Sequence, residues 1–280
     1  MKINFKKKYG QNFLKDDNLL AGIVEDAGIT GDDVVLEIGA GAGALTKHLS
    51  KKAKRVVSFE IDKELASLLL DLNLPNVEFV FDDVMNYSMQ KIEQLCGKKY
   101  KLVANLPYYI TTPILTKFLT MDNKPQSITV MVQKEVGDRI TAKNGTSDYG
   151  YFSVYCQLQA KIEETRFVPK EMFTPMPKVD SCIIRFTDIS SDNVPDDLNE
   201  FCKSLFVMKR KTLVNNLLSS KVINVASKDE LIKALAECGI KENARSEELS
   251  IDDIKALHEK LKKHWHLFDV YSILLVVKNI

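Results

Sequence analysis

Four consecutive residues, Asn105, Leu106, Pro107 and Tyr108, have the side chains and the spacing to prepare an aromatic amine for alkylation. The exocyclic amine of a nucleobase delocalises its lone pair into the ring and is a poor nucleophile as it stands. The side-chain oxygen of Asn105 and the carbonyl of Leu106 can each accept one amine N–H, and together they would turn the lone pair toward an electrophilic methyl group. Pro107 stiffens the turn that presents both acceptors. Tyr108 offers an aromatic face to a flipped-out base, a contact of about 1–3 kcal/mol in single-strand binders. Such a transfer calls for no acid, nucleophile or metal. A sulfonium donor moves positive charge without creating it, and the alkylated amine is acidic enough to lose its proton to water, so Asn105 is not a base. The same four residues also describe a strand that ends in a turn, and only their surroundings separate the two readings.

A second chemical signal lies upstream, where Glu37, Ile38, Gly39, Ala40, Gly41, Ala42 and Gly43 follow a short apolar run. A glycine loop at the end of the first strand of a doubly wound sheet receives a nucleotide-like ligand. Gly39, Gly41 and Ala44 also satisfy the tolerant dinucleotide fingerprint, with Glu60 about 20 residues later as the ribose-binding acid, so the loop alone leaves a nicotinamide dehydrogenase open. Three features favour S-adenosylmethionine: Glu37 before the first glycine, the acidic pair Asp82 and Asp83, and the turn at 105–108. Glu60 has the chemistry to accept from both ribose hydroxyls and Asp83 to take the adenine amine, with Ile61 and Val84 as apolar walls.

These residues must be held by strands and helices that alternate. Apolar runs at 34–38, 55–61, 77–81, 100–104 and 127–132 read as strands, with helices through about 50 and over 63–72, and the alternation implies an α/β fold with a parallel sheet covered by helices. Two further extended stretches are expected at 152–160 and 182–186, on either side of the loop that carries Phe173. The polar segment Ser190, Ser191, Asp192, Asn193, Val194 and Pro195 reads as a linker, and the periodicity beyond it is helical. The expected division is residues 1–190 and a smaller all-helical domain over 191–280.

Composition narrows the class. With 280 residues, 45% of them hydrophobic, the chain has ample material for a core. Its formal net charge is only +1, so a polyanion must be met by local patches. Lys2, Lys6, Lys7, Lys8 and Lys15 form one such patch, and Lys209, Arg210 and Lys211 another; both are candidate phosphate contacts, although short basic runs are commonly plain solvated surface. Five scattered cysteines without a Cys-x-x-Cys pair point to reduced packing residues and no metal site. The first fifteen residues do not read as a signal peptide, and a cytoplasmic location is expected. The apolar run at 273–277, in a tail from about 267, is too short for a bilayer, which needs about 20 residues, and no function is drawn from it.

Taken together, the motifs resemble the KsgA-type ribosomal RNA adenine N6,N6-dimethyltransferases, relatives of the Erm resistance methylases. The resemblance rests on Gln11, Asn12, Phe13 and Leu14, on residues 37–46, on Asn105 to Tyr108, and on Phe173, Pro175, Pro177, Val179 and Ser181. It extends from about residue 5 to 263, through Leu205, Phe206, Lys209 to Leu213, Asn215 and Asn216, and through Arg245, Glu247, Glu248 and Leu249. What it implies is a Rossmann-like class I methyltransferase sheet, mostly parallel and seven-stranded, with a smaller helical domain. The implied activity is dimethylation of two adjacent adenines near the 3′ end of 16S rRNA in a small-subunit precursor, by a monomer. Asn12, Leu14, Gly39, Gly41, Glu60, Ile61, Asp83 and Asn105 would contact S-adenosylmethionine, and Phe173 would cover the second face of the target adenine. Folded ribosomal precursor is expected to be a better substrate than free RNA. An Erm-type enzyme acting on 23S rRNA is the nearest alternative, opposed by Leu106, where those enzymes tend to carry Ile, and by the match over 209–216. A non-catalytic assembly factor on the same fold is opposed by the intact turn at 105–108.

Overall fold

Runs of Val, Ile and Leu without polar alternation make strands that need cover on both faces, and the helices between them supply it. The computed structural model describes residues 13–14, 16–208, 211–219 and 227–262. After β1 (Phe13–Leu14) and α1 (Asp17–Asp26) come β2 (Val34–Ile38), α2 (Ala44–Lys52), β3 (Arg55–Phe59), α3 (Ala66–Leu70) and β4 (Val77–Val80). The alternation continues through α4 (Met89–Cys96), β5 (Lys101–Asn105), α5 (Thr111–Thr120), β6 (Ile128–Gln133) and α6 (Lys134–Thr141). Then follow α7 (Tyr151–Gln157), β7 (Lys161–Val168), β8 (Phe173–Thr174), β9 (Ser181–Thr187), α8 (Asp196–Leu205), α9 (Leu213–Ser219), α10 (Lys228–Glu237) and α11 (Ile251–Leu261).

Seven strands form one sheet in the order β4-β3-β2-β5-β6-β9-β7, and β1 pairs with β8 beside it. Strand β9 is antiparallel to both its neighbours, so it alone runs against the rest. The fold class read from the sequence is the one observed. Strand order reverses between β2 and β5, where Ile38 lies beside Ala104. That reversal leaves a crevice at the carboxyl ends of the two strands, the place where open α/β sheets bind ligands. Beneath it, Leu20, Ile23 and Val24 of α1 and Leu45 and Leu49 of α2 pack on Val35, Val56 and Val103, each fully buried side chain of this size contributing about 1.5–3 kcal/mol.

The chain divides into two compact units, Met1–Thr141 with Gln159–Asn193, and Ala142–Leu158 with Val194–Ile280. A single break near 190 therefore misplaces one segment. Residues 142–158 group with the second unit, and the stretch expected to be extended at 152–160 is mostly helix α7. The physical reason is in its spacing: Val154 is buried among Phe201, Leu205, Leu213 and Leu257, with Tyr151 and Leu158 packed against the same cluster. Those positions repeat every three or four residues, as one face of a helix requires. The strand lies later, in β7, whose charged residues suit its place at the sheet edge.

Within the second unit the described elements are all helices. No helix among the described residues is long and apolar enough to cross a membrane. Asn12, the lysines at 2, 6, 7, 8 and 15, Lys209, Arg210 and the apolar tail lie outside the described residues.

Candidate functional site

The glycine loop takes a course that side chains would obstruct. Gly39, Gly41 and Gly43 have φ of 84°, 57° and 79°, the left-handed region in which glycine is strongly favoured. The amides of Gly39 and Ala40 both donate to the Phe59 carbonyl, at 2.8 and 3.0 Å, which folds the loop over the end of β3. A Cβ on Gly39 would sit 3.4 Å from the Asn105 carbonyl oxygen, and one on Gly41 2.8 Å from the Phe13 ring. The loop thus runs close to the tip of β5 and to β1. Gly41→Ala is expected to destabilise the fold by about 1–2 kcal/mol, through its positive φ and the displaced Phe13 ring. Thermal unfolding checks this; a variant as stable as the parent would show that the ring simply yields.

Across the pocket stand the acids. Glu60 is buried, and its carboxylate accepts from the Gly41 amide at 2.7 Å and from the Asp62 amide at 2.8 Å, one bond to each oxygen. Burial pushes its carboxyl up while those backbone N–H groups pull it down, with a net rise. Each oxygen keeps a second acceptor site. One oxygen of Asp83 accepts from the Met85 amide at 2.9 Å, capping the short helix Val84–Asn86, and its own amide donates to Asp82. Glu60, Ile61, Asp82, Asp83 and Val84 line one pocket with Gly39, Gly41, Asn105, Leu106, Pro107, Tyr108 and Phe173. Three acids beside apolar walls suit a ligand with hydroxyls and an aromatic amine.

Asn105 is the last residue of β5, half-buried, and Leu106 beneath it is 1% exposed. Tyr108 is half-buried, with its hydroxyl 2.9 Å from Ser181 Oγ at the start of β9. Burial raises the Tyr108 phenol, against the hydrogen bond to Ser181. Phe173 is 4% exposed, pairs with Leu14 in the β1–β8 ladder, and still borders the pocket. Leu14 does likewise. Lys211 is exposed on the second unit, apart from these elements in sequence.

Glu37, the acid before the first glycine, turns into the sheet and does not line the pocket. It is fully buried, and one carboxylate oxygen accepts from Ser58 Oγ at 2.5 Å and from Thr46 Oγ1 at 2.7 Å. Burial pushes its carboxyl up to about 7 from 4.5, against those two hydrogen bonds. A group that holds its proton more tightly when folded contributes stability that is complete below pH 4.5 and lost as pH rises through about 7. Between about pH 5 and 8 the parent is therefore expected to lose about 1–3 kcal/mol relative to Glu37→Gln. Denaturant melts at several pH values test it, and parallel curves would contradict it.

Two participants escaped the sequence reading. The Phe13 ring borders the pocket against Gly41, and Ser181 fixes the Tyr108 hydroxyl from 73 residues away. Neither contact leaves a local pattern, although both residues stand inside motifs that were singled out for other reasons.

The model of the ribosomal RNA adenine dimethylase family matches residues 2–263. Proteins named ribosomal RNA small subunit methyltransferase A from Leuconostoc citreum and Lysinibacillus sphaericus are 41% and 42% identical to the chain, over 268 and 269 residues. These alignments cover 93% and 92% of this chain and 91% of each relative. A solved dimethyladenosine transferase from Plasmodium falciparum superposes with a TM-score of 0.76 at 27% identity, over 91% of this chain and 100% of its own. The 23S rRNA methyltransferase ErmE superposes with a TM-score of 0.70, also at 27% identity, over 90% of this chain and 100% of its own.

Proposed function

Because the chain belongs to the ribosomal RNA adenine dimethylase family, we propose that it dimethylates the N6 amines of two adjacent adenines near the 3′ end of 16S rRNA. The donor is S-adenosylmethionine, the substrate a cytoplasmic precursor of the small ribosomal subunit, and the enzyme a monomer. The observation that carries this reading is the meeting of the Asn105 turn and the glycine loop in one pocket with Glu60 and Asp83.

The residues present suit this cofactor. Glu60 is held by the Gly41 and Asp62 amides with acceptor capacity left for ribose hydroxyls, Asp83 has an oxygen for the adenine amine, and Ile61 and Val84 flank the ring. Leu14, Gly39, Gly41 and Asn105 complete the cofactor side, with Asn12 ahead of β1. When bound, S-adenosylmethionine supplies a methyl group activated by its sulfonium. Asn105 and the Leu106 carbonyl accept the target amine's N–H bonds and set its lone pair in line, while Pro107 holds the turn. Tyr108 and Phe173 hold the base between aromatic rings, with Tyr108 locked by Ser181. A monomethylated amine keeps one N–H, so the second transfer proceeds with one acceptor engaged. Lys6, Lys7, Lys8, Lys209, Arg210 and Lys211 contact phosphates.

The likeness to ErmE keeps a large-subunit target as the second reading. Relatives named for the small subunit are closer in sequence, 41–42% against 27% identical. Calorimetry and methyl incorporation test the proposal together. Expected are binding of S-adenosylmethionine but not NADH, and label entering unmethylated small subunits. Binding of NADH alone, or label confined to large-subunit RNA, would overturn it.

A further inference from the structure

Helix α5 reads Thr111, Thr112, Pro113, Ile114, Leu115, Thr116, Lys117, Phe118, Leu119, Thr120, and its single charge is Lys117. A long cationic side chain in such a helix would ordinarily extend into water. Instead the ammonium donates to three backbone carbonyls, Val84 at 3.1 Å, Met85 at 3.0 Å and Tyr87 at 2.7 Å. All three belong to the segment that follows Asp83. An ammonium has three N–H donors, so the full set is spent on one turn of chain.

We infer that Lys117 is a positioning residue, which holds the Asp83–Val84 wall of the cofactor pocket against the helix that begins at the catalytic turn.

Several contacts converge on this assignment. Asp83 and Val84 line the pocket at the start of the clamped turn, and Asp83 caps that turn. Tyr87, at its far end, sets its ring edge-on to Phe59, with centroids 4.9 Å apart. The Phe59 carbonyl in turn receives the Gly39 and Ala40 amides. Helix α5 starts at Thr111, directly after the segment that carries Asn105 and Tyr108. One ammonium therefore ties the adenine end of the pocket to the element that presents the amine acceptors. Burial lowers the lysine while the Asp83 carboxylate raises it, with a net lowering. Hydrogen bonds to a charged group are stronger than neutral ones, and without the ammonium each of the three carbonyls loses a donor, although the Val84 carbonyl keeps the Tyr87 amide at 3.2 Å.

The inference rests on the S-adenosylmethionine reading, and its test separates the two. The variant is Lys117→Met, which keeps the length and apolar stem but no donor. Calorimetry with S-adenosylmethionine should give a Kd raised about tenfold or more, in line with charge-assisted bonds lost at the pocket wall. In initial-rate assays KM for the donor should rise by about the same factor, while kcat and KM for the small subunit each change by less than about threefold. S-adenosylhomocysteine should also lose its advantage over the inosine analogue, which lacks the amine that Asp83 would take. If Lys117→Met does not fold, Lys117→Gln carries the test, with Kd raised about threefold or more because its amide supplies two neutral donors. Failure of the parent protein to bind S-adenosylmethionine would strike the functional proposal. An unchanged Kd in a folded variant, or equal losses for donor and RNA, would overturn the role of Lys117.

Discussion

Asn105→Ala is expected to lower kcat for methyl transfer by about 10²–10³-fold, the scale on which removing one preorganised polar group from a reacting centre is felt. Asparagine at the tip of β5 has no acid–base chemistry to lose. What disappears is an acceptor that orients an amine whose lone pair otherwise stays in the ring. On the proposed reading the Leu106 carbonyl is the second acceptor and survives the substitution, so residual transfer is expected. Binding of small subunits should change little, since the phosphate contacts proposed above lie elsewhere in the chain. Gel-shift and single-turnover assays on the same protein preparation would show the split. A variant that keeps full kcat would remove Asn105 from the chemistry, and one that loses subunit binding in parallel would point to a damaged fold.

Glu60→Gln is expected to weaken S-adenosylmethionine by about 10–100-fold and to destabilise the protein by about 1–3 kcal/mol. The substitution is nearly isosteric, yet both carboxylate oxygens are acceptors of backbone N–H bonds, from Gly41 and from Asp62. A glutamine has one oxygen for two such donors, and its amide must face an N–H group in a buried place. Either the glycine loop or the Asp62 turn therefore loses a hydrogen bond to residue 60, and on the proposed reading the ribose loses an acceptor. Calorimetry and denaturant unfolding measure the two effects separately. Retained affinity with reduced stability would leave Glu60 as a structural strut only.

Much of this architecture is written locally. Strands β2, β3, β5 and β6 are short, mostly apolar and buried at successive positions, as cover on both faces requires, and the glycine loop and the Asn105 turn carry their own short patterns. Their meeting at the strand-order reversal follows once the alternation is recognised. Other features depend on partners far away in the chain. Phe152, Val154 and Tyr155 have strand-forming side chains, and the segment is helical because Tyr151, Val154 and Leu158 pack as one face against helices beyond Val194. Strand β7 is half charged because it lies at an edge, so its period was hidden. The acid Glu37 follows the expected motif, but the direction in which it points is set by Thr46 and by Ser58 of the neighbouring strand. Lys117 stands out as the lone charge of its helix, yet its carbonyl partners lie about thirty residues earlier, and no local pattern names them.

The most direct measurement is to incubate the protein with S-adenosylmethionine carrying a labelled methyl group and unmethylated small subunits, then to map the modified nucleotides. The expected result is two methyls on N6 of each of two neighbouring adenines near the 3′ end of the RNA, and almost none with Asn105→Ala. Label on other nucleotides, or an undiminished yield from that variant, would contradict a pair of acceptors at the end of β5 as the source of the reaction.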